Sequence, residues 1–308
     1  MLIIFTIIAV TMILSSIQVT GAGKRTIDVA KFDKQIRSTH LPLDAAHRDT
    51  FLSRIAVRER LALVGGTIGL LAGLIVGLIL KPIGPAAILL GTALGVEGAG
   101  VIAIVTGRHQ INPEGPRVAR LTTPTVRDYV PTPLRIAELT TPILLAATLT
   151  PALVAQNAYG LSDRADLKQL MTMIWIGTLV ASVIWLGTLI AARVAVVRPQ
   201  HATDELELAW DDVSRADAFT NLSTASVATT VFAMTMNAVG AMGIVMAPES
   251  RAQSMDGTER LAVTAFVVYL VTVWPVLIAM IIGTARRRRH AIGRLWANAT
   301  WETEHAAH

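Results

Sequence analysis

Seven long apolar stretches decide what this chain can fold into: residues 1–19, 61–80, 86–106, 141–159, 170–197, 223–246 and 261–283. A bilayer's hydrocarbon core is about 30 Å thick and a helix rises about 1.5 Å per residue, so about 20 apolar residues cross it. Backbone groups must be paired internally there, which leaves helices or a closed barrel. The stretches are continuously apolar rather than alternating, and that selects helices. The predicted fold class is all-α: a polytopic transmembrane helical bundle of about seven spans, one domain over residues 1–308. Only 16% of the residues are charged, against about 25% in soluble domains, so no polar stretch makes a separate soluble unit.

Charge placement gives an orientation. With the N-terminus outside and the C-terminus cytoplasmic, 22 of the 27 Lys and Arg fall on the inner side. Lys81, Arg164, Lys168, Arg251 and Arg260 remain outside. Residues 20–60, 107–140 and 198–222 are then cytoplasmic segments, and 284–308 is a basic cytoplasmic tail. The first span has no basic residue before its apolar run, and Lys24 and Arg25 follow it. It reads as a retained helix, with a signal peptide cleaved near Gly21-Ala22-Gly23 as the alternative. The net charge of +5 comes mostly from arginines beside spans, which marks topology and lipid contact rather than nucleic acid. In the segment 107–140, Pro113, Pro116, Pro124, Pro131 and Pro133 predict an extended loop.

Within the spans, two features stand out. Gly65, Gly69, Gly73 and Gly77 recur every four residues, and Gly91 and Gly95 repeat that interval after a five-residue turn. Such ridges let helix backbones approach closely in lipid, so a tight antiparallel hairpin is predicted. Glu97 is the one ionisable residue deep inside any span. A carboxyl group there is costly unless protonated, paired or hydrated, and helical geometry turns it off the Gly91–Gly95 ridge. Thr229, Thr230, Thr235 and Asn237 of the sixth span lie at similar depth, so Glu97, Asn237 and Thr230 form the candidate substrate or ion site. The other reading is a protonated carboxyl that ties helices together. Transport predicts that Glu97→Gln abolishes movement, whereas a structural tie predicts a mild effect. Trp274-Pro275 predicts a kink in the seventh span.

On the cytoplasmic side, residues 204–220 read as a short amphipathic helix, with Leu206, Trp210, Val213 and Asp217 at helical spacing. Trp210, Asp211, Asp212 and Arg215 are candidate interaction residues there, toward the basic first segment or a partner protein. The run from Glu205 to Arg215, Glu-Leu-Glu-Leu-Ala-Trp-Asp-Asp-Val-Ser-Arg, resembles a loop of multi-pass bacterial membrane proteins of unassigned function. The resemblance covers eleven residues; it implies a bacterial cytoplasmic membrane and no activity. After the last span, Arg286 to Arg289 read as a topology anchor, and Trp296 as a residue at headgroup level.

Absent motifs narrow the chemistry. There is no cysteine, no phosphate-binding glycine loop, no His-Glu-x-x-His and no Gly-x-Ser-x-Gly. No catalytic residue, metal site or cofactor is predicted. The leading expectation is a transport-related component, a permease subunit or small carrier with a midplane carboxylate. The alternative is a non-transporting scaffold, sensor or accessory subunit acting through its cytoplasmic segments. The bilayer is the expected partner; a cytoplasmic protein, a separate ATPase subunit or a second copy of the chain remain open.

Overall fold

The structure is a computed structural model that describes Leu41 and residues 45–79, 84–105, 123–158, 165–198, 200, 202, 204–245 and 256–297. Among the described residues all regular structure is helical, in seven helices: α1 (Ala45–Ile79), α2 (Gly84–Val105), α3 (Val126–Tyr129), α4 (Thr132–Ala158), α5 (Ala165–Val197), α6 (Glu205–Val245) and α7 (Asp256–Leu295). Five of these, α1, α4, α5, α6 and α7, are long and apolar enough to cross a membrane. The first predicted span lies outside the described residues.

Helices outlast the apolar stretches that predicted them, and this corrects the loop boundaries. α1 takes in residues 45–60, α4 begins nine residues before position 141, and α7 runs on through Arg286–Arg289 to Leu295. The predicted short amphipathic helix is no separate element: it forms the first part of the 41-residue α6. Bilayer thickness limits apolarity, not helicity, and polar helix formers continue the same hydrogen-bond ladder. Pro131 and Pro133 do not keep this region extended. They flank Thr132 at the start of α4, where a missing N–H is harmless. Pro142, Pro151 and Pro275 stand inside helices that continue through them.

Two compact units divide the chain. The first holds the described residues within Met1–Pro131, Ala191–Ala225 and Arg286–His308; the second is Thr132–Ile190 and Ser226–Ala285. In the first unit α1 and α2 meet backbone to backbone. A Cβ on Gly69 would overlap the Gly91 carbonyl oxygen, one on Gly65 the Gly95 oxygen, and one on Gly73 the Ala87 oxygen. Any side chain at those points forces the helices apart. Gly77 is buried on the same ridge.

The second unit packs four helices. Leu145 of α4, Ala181 of α5, Ala233, Met234 and Ala238 of α6, and Tyr269 and Val273 of α7 form one cluster. Ala152, Met171, Ile174 and Ala241 form another. Small residues on α6 bring its neighbours close: a Cβ on Gly240 would crowd the Ile174 side chain. Outward, α5 exposes Trp175, Leu179, Val183, Leu186 and Ile190. Water would penalise such a stripe by about 25 cal/mol per Å², whereas acyl chains match it.

Candidate functional site

The buried polar groups gather in two places, one in each unit. In the first unit, the α6 N-terminus is capped by Asp204, whose carboxylate accepts the Glu207 N–H at 2.7 Å. Leu206, Ala209, Trp210 and Val213 then pack with Leu41, Ile292 and Trp296. The 3–4 spacing of this apolar face aims the next members inward, acidic ones included.

Asp212 is buried and accepts hydrogen bonds from the Tyr129 hydroxyl (2.8 Å), the Gln200 amide (2.7 Å) and the Trp296 indole N–H (2.9 Å). Arg215, also buried, donates to Asp211 (3.0 Å) and to the carbonyls of Ala195 and Arg198 (each 3.2 Å). It thereby supplies donors to carbonyls that the C-terminal turn of α5 leaves unpaired. Asp217 is gripped by two cations: Arg287 Nε at 2.6 Å, and Arg288 through Nε at 3.1 Å and Nη2 at 2.9 Å. Arg287 donates in addition to the Asn221 side chain at 2.8 Å. Two guanidinium groups on one carboxylate offset its desolvation, and the fork geometry fixes where α7 meets α6.

A short segment completes this cluster. The Asp128 carboxylate accepts from the Thr125 N–H and hydroxyl, both at 2.8 Å, and from Arg294 at 3.3 Å. Burial favours the protonated acid, but these hydrogen bonds and the Arg294 charge outweigh it and hold the Asp128 pKa below the usual carboxylate range. His290 contacts the Arg127 carbonyl at 3.0 Å, and Tyr129 meets the Phe219 ring edge-on at 5.3 Å.

In the second unit the interior is mostly neutral. Asn237 is fully buried, accepts from the Thr178 hydroxyl at 3.3 Å and approaches the Thr148 hydroxyl at 3.5 Å. Thr230 donates to the Ser226 carbonyl at 2.9 Å, and Thr235 bonds both the Val231 carbonyl and the Tyr269 hydroxyl. The exception stands near the start of α4, where fully buried Glu138 pairs with Arg135. Pro142 lacks the N–H that would close the ladder onto the Glu138 carbonyl. The Trp185 indole N–H takes that place at 2.8 Å, and the Thr141 hydroxyl adds a contact at 3.2 Å.

The residues singled out from sequence are therefore distributed as follows. Trp210, Asp212 and Arg215 are turned inward and Asp211 is half-buried, all engaged within the chain. Trp296 is half-buried against the same cluster. Glu97 is half-buried on α2 in the first unit, one turn from Gly100, where α2 passes Ala218 of α6. Asn237 and Thr230 belong to the second unit. A second carboxylate in a long apolar helix is Glu138, near the start of α4. Sequence reasoning placed Glu138 in a loop; the signal was Pro142 four residues later, beside an uninterrupted helical pattern.

These features define a class, an all-helical protein with five membrane-length apolar helices among its described residues and two internally bonded polar clusters. Comparison with protein-family models, curated proteins and solved structures found no match.

Proposed function

We propose that this chain is a multi-pass membrane protein of about seven spans, N-terminus outside and C-terminus cytoplasmic, acting as a non-transporting scaffold or accessory subunit. One observation carries the reading: Asn237 and Thr235 hydrogen-bond to side chains of neighbouring helices, and Thr230 is satisfied by a carbonyl of its own helix. Asn237, Thr230 and Thr235 each have partners within the second unit. A pathway for polar solutes needs such groups turned to water, whereas interhelical hydrogen bonds of this kind hold a bundle together. The Asp212 and Asp217 clusters likewise tie α6 to α7 and to the end of α5, which suits a rigid platform for a protein partner.

Transport remains the second reading, favoured by Glu138 and Glu97 as carboxylates within long apolar helices. Proteoliposomes separate the two. With a pH-sensitive dye inside and a pH step imposed, the scaffold reading expects proton entry equal to that of empty vesicles, unchanged by Glu97→Gln or Glu138→Gln. Entry above that level, lost in either variant, makes the chain a proton-coupled or proton-conducting protein instead.

A further inference from the structure

Helical geometry divides the four-arginine run of α7 into two pairs with different fates. Arg287 and Arg288 turn inward onto Asp217. Arg286 and Arg289 are exposed, and among the described residues neither has an acidic partner. His290, the residue after this run, meets the backbone carbonyl of a third exposed arginine, Arg127. Arg294, further along, is engaged by Asp128.

The same helix exposes Trp274 (64%), Ile278 (53%) and Ile281 (67%) before this run. At about 100° per residue these three stack along one line, and Ala285 and Arg289 continue it. An apolar stripe that ends in arginines with no acidic partner among the described residues is complementary to one kind of molecule. Acyl chains cover the stripe, and an anionic headgroup meets the guanidinium groups. Arginine suits this role, since its planar fork grips phosphate oxygens in pairs.

We propose that Arg286 and Arg289, flanked by Arg127, form a headgroup site for an anionic phospholipid at the polar end of the α7 stripe. The proposal rests on the chain lying in a bilayer and is independent of whether it transports. A zwitterionic lipid carries its own ammonium and competes poorly for these charges, and a soluble phosphate lacks the acyl chains that the stripe would hold.

Lipid retention measured by native mass spectrometry tests this on the full-length protein. The protein in detergent is titrated with dioleoylphosphatidylglycerol, with dioleoylphosphatidylcholine and with inorganic phosphate. The expected result is selective retention of the glycerol lipid, reduced roughly thirtyfold by Arg286→Gln with Arg289→Gln and several-fold by Arg127→Gln. Arg193→Gln with Arg198→Gln removes the same charge from exposed arginines at the end of α5 and is expected to leave retention unchanged. Equal loss in that control would reduce the effect to net charge, and unchanged retention in the first pair would remove the site. Displacement of the lipid by millimolar phosphate would overturn the lipid as its occupant. All these arginines are exposed, so every variant is expected to melt with the wild type.

Discussion

Around Asp212 and Asp217 the first unit buries formal charge, whereas around Asn237 the second unit buries hydroxyls and an amide. Asp217 draws on two arginines, and Asp212 on a phenol, an amide and an indole. Asn237 meets the hydroxyls of Thr178 and Thr148. The difference follows from where each stretch of α6 falls in the sequence. Residues before about 220 are interleaved with charged neighbours that can supply several strong donors. Residues after it lie in an apolar stretch, where an ion would cost several kcal/mol and neutral partners suffice. Charge therefore fixes the first part of α6, while close packing and weak hydrogen bonds hold the part that follows.

If that contrast is right, the largest effect belongs to the charged cluster. Asp217→Asn removes the carboxylate that Arg287 and Arg288 share and is expected to cost about 3 kcal/mol, read as a drop in melting temperature in detergent. A cost below 1 kcal/mol would mean the two arginines escape to solvent. Gly69→Leu sets close packing inside the first unit against that charge: its side chain meets the Gly91 carbonyl, so a loss of about 2–3 kcal/mol is expected together with separation of α1 from α2. A cysteine pair placed at Leu70 and Ile88, which pack together across the hairpin, reports on that separation by crosslinking, with wild-type crosslinking in the Gly69→Leu background contradicting it.

Smaller effects come from the neutral groups. Trp185→Phe removes the donor that replaces the missing Pro142 N–H, with about 1 kcal/mol expected because Thr141 still reaches the Glu138 carbonyl. Asn237→Leu should cost about 1 kcal/mol or less, the usual scale for a hydrogen bond between helices in lipid. A value near that of Asp217→Asn would erase the distinction between the two clusters.

The smallest effect is a pH dependence. Asp128 has a lowered pKa, so its contribution is full above the ordinary carboxylate value of about 4 and is lost as pH falls through the lowered one. Melting curves between about pH 6 and pH 3 should fall less steeply for Asp128→Asn than for wild type; parallel curves would show that Asp128 is not part of the acid response.

Helix identity was legible in the six apolar stretches that fall within the described residues, and the glycine interval pointed to the pairing of α1 with α2. Helix ends were not, since nothing in a run such as Ala45 to Arg60 distinguishes a polar helix from a polar loop until its contacts exist. The interior role of Asp217 was partly visible in its spacing from Leu206, Trp210 and Val213. Its partners, Arg287 and Arg288, were hidden because about seventy residues separate them and a basic run beside a span already has a sufficient explanation. Glu138 was missed for a local reason: a cluster of prolines upstream argued for a loop, although Pro133 stands where a helix tolerates it best.

Water access to the second unit's interior tests the central claim most directly. The chain has no cysteine, so Asn237→Cys and Thr230→Cys each introduce a single thiol, and Arg198→Cys gives an exposed reference. In lipid, a charged thiol reagent should label the reference within minutes and leave the two interior positions unlabelled until the protein is denatured. Labelling of Asn237→Cys or Thr230→Cys at a rate near the reference would place water beside them and contradict the scaffold account in favour of a passage.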